Sequence, residues 1–315
     1  MRAPVSQEQL ARVADGVEIC FQTFGSAQAE PLLLVMGLGG PMTWWDERLC
    51  GMLADEGFFV IRFDNRDSGR STRVEGRSTL LRLAKAFLGL KVQAPYTLDD
   101  MAGDAFGLMD HLGLDSAHVW GVSMGGMIAQ TMAVAHPERV RSLTSMMSTT
   151  GARRVGFQHP TLLPAFLSRG VGRDAYLEGS VRMWRLIGSP GFPSTEDDVR
   201  RRAAETYDRG VSPEATARQM LAILTQPDRT RDLRRVSVPT LVVHGLSDKM
   251  VHVSGGRATS LAVPQSELLL IDGLGHDIPE DLWPTLVRAV RRTADRARTR
   301  RDPGPRSEDP GLGDG

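Results

Sequence analysis

Gly121-Val122-Ser123-Met124-Gly125 sets a hydroxyl between two glycines, each two residues away. The apolar run His118 to Val122 precedes it, and a helix-period stretch from Met124 to His136, stopped by Pro137, follows. G-x-S-x-G between a strand and a helix marks a nucleophile on a tight turn, where only small residues fit around strained backbone. Ser123 would then stand at a helix N-terminus, whose free N–H groups and positive dipole stabilise developing negative charge. A serine hydroxyl needs a base, and the base needs an orienting carboxylate.

Among seven histidines, His276 is the candidate base: it lies in Leu274-Gly275-His276-Asp277, just past the last predicted strand. His111, His118 and His136 flank the serine turn in sequence and read as packing or surface groups. His159 falls among predicted helices, His244 ends a strand and His252 starts a helix. Asp248 is the candidate acid, across the turn Gly245-Leu246-Ser247 from the strand Thr240 to Val243. Asp272 and Asp277 are nearer His276 in sequence, but loop neighbours rarely meet an imidazole edge-on. No acid directly follows the strand Val140 to Met147, where the chain reads Ser148-Thr149-Thr150. A developing oxyanion needs two converging donors. The backbone N–H of Met124 is one candidate and that of Leu38, in Gly37-Leu38-Gly39-Gly40, the other.

These residues need a frame that brings them to one edge. Short apolar runs alternate with helix-period stretches, which predicts an α/β fold with a mostly parallel central sheet and helices on both faces. The expected strands are Val17 to Phe24, Leu32 to Met36, Phe58 to Phe63, His118 to Val122, Val140 to Met147, Thr240 to Val243 and Leu268 to Ile271. Val17 to Phe24 reads as a half-exposed antiparallel strand. Helices are expected over about Thr43 to Glu56, Thr97 to Leu112 and Glu280 to Arg296, with a shorter one around Gly256 to Leu261. Residues 150–235 break this rhythm with three helical stretches beginning near Arg173, Thr195 and Ser212. They predict a helical cap between two halves of a core, 1–149 and 236–297, with a polar, Pro/Gly-rich disordered tail at 298–315.

Composition narrows the function. The 315 residues carry 38 basic and 38 acidic side chains, so no global field gathers nucleic acid. No apolar run approaches the roughly 20 residues of a membrane span, and the N-terminus lacks a signal-like apolar stretch, so a cytoplasmic location is expected. Cys20 and Cys50 read as two reduced, buried thiols. No HExxH or Cys/His cluster suggests a metal, and the glycines at 37, 39 and 40 lack dinucleotide-fingerprint spacing; no cofactor is expected.

With Ser123, Asp248 and His276 in that order, and Asp64-Asn65-Arg66-Asp67-Ser68-Gly69-Arg70-Ser71 after a strand, the chain resembles the α/β-hydrolase superfamily from about Val13 to Arg292. The stretches Val35 to Gly39, Asp64 to Ser71, Arg185 to Pro190 and Ile271 to Pro279 are similar to actinobacterial Lip-type carboxylesterases. They are more loosely similar to aclacinomycin methylesterase. The resemblance implies ester hydrolysis through an acyl-enzyme, with Ser123, His276 and Asp248 as triad and Leu38 and Met124 as oxyanion donors; the expected cap and the segment 78–92 point to a small hydrophobic ester as substrate. Two departures stand out: Met36 replaces a histidine common before the oxyanion loop, and Asp67 stands where glycine is frequent. Dehalogenases and epoxide hydrolases of this fold use an aspartate nucleophile, and a perhydrolase would carry an aromatic residue at the place of Leu38. The same triad would also suit a thioesterase, a lactonase or an acyltransferase, and the fold a non-catalytic small-molecule receptor.

Leu80 to Lys91 is leucine-rich, with basic residues at helical spacing. It reads first as a short helix packed under the cap. The alternative, for residues 78–92, is a partly exposed flap that contacts long acyl chains or a lipid interface.

Overall fold

The computed structural model describes residues 3–76, 78–162 and 172–301. Among them, eight strands form one sheet in the order β1-β2-β4-β3-β5-β6-β7-β8. The strands are β1 (Gln9–Ala14), β2 (Val17–Phe24), β3 (Glu30–Val35), β4 (Phe58–Phe63), β5 (Ala117–Val122), β6 (Val140–Met146), β7 (Thr240–Gly245) and β8 (Glu267–Ile271). β1, β2 and β4 pair antiparallel, and every later pairing is parallel.

Alternate residues of the central strands feed two separate cores, as a sheet covered on both faces requires. Leu33, Val35, Ile61 and Val119 pack with α3 (Leu98–His111) and α4 (Met124–Ala135). Leu32, Leu34, Val60 and Trp120 pack with α1 (Glu47–Asp55) and the last helix, α9 (Trp283–Arg301). Thr97 caps α3 in a reciprocal box with Asp100, which starts the helix where the sequence places it.

Three details differ from the sequence reading. β1 is a strand that the short, mixed stretch before Val17 did not signal. It pairs along β2, which is therefore mostly buried rather than half-exposed. The helix expected from Thr43 splits into a 3-10 turn, Met42–Trp44, and α1, because the Asp46 side chain accepts the Arg48 N–H at 2.8 Å and starts a new helix. The last helix begins after a 3-10 turn at Glu280–Leu282 and reaches Arg301, past the point where the tail was expected; residues beyond it lie outside the described ones.

Between β6 and β7 stand α5 (Arg173–Ile187), α6 (Glu196–Gly210), α7 (Pro213–Thr225) and the single turn α8 (Thr230–Leu233). Thr195 and Ser212 cap α6 and α7, and Pro213 opens the latter. Two buried ion pairs fasten this insert to the loop after β4: Arg209 to Asp64 and Arg218 to Asp67, each at 2.7 Å. α2 (Leu80–Phe87) emerges from that same loop and packs on α7.

Candidate active site

The chain crosses from β5 into α4 at Ser123, whose backbone takes φ 56 and ψ −120. An L-residue rarely adopts that conformation, and it stores strain. The two flanking glycines are required by space. A methyl group at Gly121 would stand 2.0 Å from the Gly125 carbonyl oxygen, and one at Gly125 2.0 Å from that of Val35. The turn is fixed by the Ser123 N–H donating to the Met146 carbonyl at 2.9 Å and by the Ser148 hydroxyl donating to the Ser123 carbonyl at 2.8 Å.

Three residues far apart in sequence meet here. The Ser123 hydroxyl is 3.0 Å from His276 Nε2, and His276 Nδ1 is 2.8 Å from Asp248 Oδ2. The Asp248 side chain is fully buried, and its other oxygen accepts the N–H groups of Met250 and Val251, both at 2.9 Å. A carboxylate held on both oxygens presents one lone pair to the imidazole in a fixed direction. The proton then belongs on Nδ1, leaving Nε2 free to accept from the serine. Asp272 and Asp277 do not take this place: Asp272 bonds the N–H of Gly273, and Asp277 accepts from Ser189.

Of the remaining histidines only His244 adjoins the three among the described residues. His118 is buried against Ser142, while His111 and His136 lie edge-on to Phe21 and Phe106. His252 stacks on Phe157, and His159 pairs with Thr161. His244 is buried beside Asp248 and donates from Nε2 to the Val251 carbonyl at 2.8 Å; burial lowers its pKa against the pull of Asp248. Cys20 and Cys50 are buried free thiols, each pushed up to about 12, chiefly by burial. Neither offers a competing thiolate.

The loop after β3 comes alongside the serine, since a methyl group added at Gly37 would lie 3.6 Å from Ser123 Oγ. Residues 37–40 form a turn in which the Gly40 N–H donates to the Gly37 carbonyl, with Gly39 at φ 66. Gln219, on α7, accepts the Gly39 N–H at 2.8 Å. Asn65 donates to the Met36 carbonyl at 2.9 Å. Leu38 follows Gly37 in this loop, and Met124 is the first residue of α4, whose N–H has no partner within the helix.

Gln219, Asn65, Ser148 and Ser189 had no signal in the sequence, because each acts on a residue remote along the chain. Ser189 accepts the Gly275 N–H at 2.9 Å and donates to Asp277, and the Ile187 carbonyl accepts the His276 N–H at 2.6 Å. The insert thus holds the histidine loop. Beside it lies a cavity of about 520 Å³ whose wall includes Val181, Trp184, Val199, Arg202, Leu246 and Asp277. Arg202 stacks 4.5 Å above Trp184, and its Nε is buried with no partner among the described residues. Burial raises the Asp277 pKa against the hydrogen bond from Ser189. A smaller hollow of about 280 Å³ near Glu30 and Arg141 lies at the opposite end of the strands, away from these groups.

The sheet order and this constellation define a hydrolase scaffold, and a family model described as alpha/beta hydrolase fold matches residues 30–281. The chain belongs to the α/β-hydrolase family. It is similar to a rhodomycin D methylesterase of a Streptomyces species, with 29% identity over 88% of this chain and 94% of the relative. A putative carbamate hydrolase of Caulobacter segnis is 34% identical, over 82% of this chain and 89% of its own. The enol-lactonase of Burkholderia xenovorans, at 22% identity, shares the fold with a TM-score of 0.69 over 91% of this chain and all of that one. These relatives are hydrolases, and this chain is one by family.

Proposed function

We propose that the protein is a serine carboxylic ester hydrolase working through an acyl-enzyme. The observation that carries this reading is the unbroken line from Asp248 through His276 to Ser123, ending on a hydroxyl held in a strained turn. His276 Nε2 takes the hydroxyl proton as Ser123 Oγ attacks the ester carbonyl. The carbonyl electrons move onto oxygen, where the Leu38 and Met124 N–H groups stabilise them. Collapse expels the alcohol, protonated by His276. A water then attacks the acyl-enzyme by the same route and releases the acid, while Asp248 stabilises the imidazolium throughout.

The helices between β6 and β7 act as the cap, and the cavity bordered by Trp184 and Val199 lies against Asp248 and Asp277 rather than against Ser123. Val181, Trp184, Leu186 and Val199 make part of its wall apolar, beside the charged Arg185, Glu196, Arg202 and Lys249. A methyl ester of a bulky acid fits the similarity to the methylesterase, since the small leaving group needs no pocket of its own. Thioesters and lactones require no different machinery.

The test is labelling with a fluorophosphonate, read by intact mass and peptide mapping, beside hydrolysis of p-nitrophenyl esters from acetate to palmitate. Stoichiometric labelling at Ser123 with ester turnover is expected, and the chain-length profile measures the pocket. Labelling without turnover redirects the reading to acyl transfer or ligand reception. No labelling overturns the assignment.

A further inference from the structure

The helix α2 is inverted. Its one buried residue is Ala86, with Arg82 and Leu83 partly covered beside it. Leu81 and Leu88, on the opposite side, are 64% and 72% exposed, and Leu80, Phe87 and Leu90 also face solvent. An ordinary surface helix buries this stripe and shows its polar side. Five large apolar side chains from one short segment make a patch that nothing among the described residues covers. The packed-under-the-cap reading therefore fails for most of the helix: it rests on α7 along one narrow face only.

The segment is held in shape, as a presenting surface must be. Thr79 caps its start. Gly89, at φ 80, ends it with the Leu90 N–H donating to the Lys85 carbonyl, and Arg153 donates to the carbonyls of Ala86 and Phe87. Its charge is one-sided. Arg82, Lys85 and Lys91 accompany the leucines, and no acidic residue stands between Glu75 and Asp99 in a chain of zero net charge. Two of the protein's three lysines are here.

We propose that α2 and the residues to Lys91 dock the protein onto an anionic lipid surface. Leu80, Leu81 and Leu88 enter the boundary between headgroups and acyl chains, while Lys85 and Lys91 meet lipid phosphates. An apolar patch with flanking lysines matches both layers of such an interface. A symmetric pairing of two copies would instead set those lysines against their own images. Docking there places the lipid next to α7, the helix whose Gln219 holds the loop beside Ser123.

The experiment is co-sedimentation of the full-length protein with vesicles of phosphatidylcholine alone or mixed with phosphatidylglycerol, which reads binding independently of catalysis. The protein should pellet with phosphatidylglycerol vesicles, less with phosphatidylcholine alone, and less again as salt rises. The pair Leu81→Asp and Leu88→Asp should weaken partitioning on the order of tenfold or more. Lys85→Glu with Lys91→Glu should erase the preference for phosphatidylglycerol. All these positions are exposed, so the melting temperature and hydrolysis of a soluble short-chain ester should stay at wild-type values. Wild-type protein left in the supernatant with both vesicles overturns the proposal, as does unchanged pelleting of the leucine variants. Self-association lost in the leucine variants, without vesicle binding, assigns the patch to a second copy and overturns it equally.

Discussion

Gln219 reaches across from α7 to accept the Gly39 N–H at 2.8 Å, while its own amide donates to the Arg66 carbonyl and to the Ser68 hydroxyl at 2.8 and 3.0 Å. The side chain is wholly buried and all three of these bonds are satisfied at once. It joins the helical insert to two loops of the core, one of which carries the proposed oxyanion donor Leu38.

That junction should set the rate of the chemical step. Gln219→Met keeps the length and removes the hydrogen bonds, so the Gly37–Gly40 turn loses its outer support. We expect kcat to fall by about tenfold with KM nearly unchanged, because the donor is misplaced for the transition state rather than for the bound ester. A boronate inhibitor should weaken in parallel. An altered KM at constant kcat would make Gln219 a substrate-binding residue instead.

Strain at Ser123 should be measurable apart from its chemistry. Ser123→Ala and Ser123→Gly both remove the nucleophile, and neither should turn over ester. At φ 56 alanine keeps the steric conflict and glycine relieves it. The glycine variant should be the more stable by about 1 kcal/mol in urea unfolding. Equal midpoints would mean that the turn is unstrained.

The Arg218–Asp67 pair fastens the insert. Asp67 is fully buried, takes both guanidinium bonds, and also accepts the Tyr96 hydroxyl at 2.7 Å. Arg218→Met should cost about 3–5 kcal/mol, since it strands a buried carboxylate. Adding Asp67→Asn should recover part of that loss. A double-mutant cycle in which the two effects simply add would show the pair to be independent.

Acid should weaken the fold partly through His118. Burial lowers its pKa below the ordinary 6.5, against the opposing pull of Glu30. Below 6.5 the unfolded chain therefore takes up a proton that the folded chain resists, so stability present above that pH is lost as pH falls through the folded value. The melting temperature of wild type should drop across this range more steeply than that of His118→Gln. Parallel curves would remove His118 from the account.

How much of this was legible beforehand divides along a physical line. The alternation of apolar runs gave the parallel strands, and the helical stretches beginning near Thr97, Thr195 and Ser212 start where those residues cap, because these signals act within a few residues. The triad candidates Ser123, Asp248 and His276 were readable because each follows a strand, and parallel strands deliver their ends to one edge. Asp67 was visible only as a departure from glycine. The structure places it at φ 68, where glycine would be relaxed, and supplies Arg218 from 151 residues away to hold it.

The sequence by itself determined seven of the eight strands, most of the helices and which residues could reach one another. Only the tertiary structure decided that β1 covers β2, that Gln219 supports the loop by Ser123, and that α2 turns most of its leucines outward. Local patterns encode the conformation of a segment. The direction of a side chain against a partner a hundred residues distant is set by packing, and a single chain read along its length carries no trace of it.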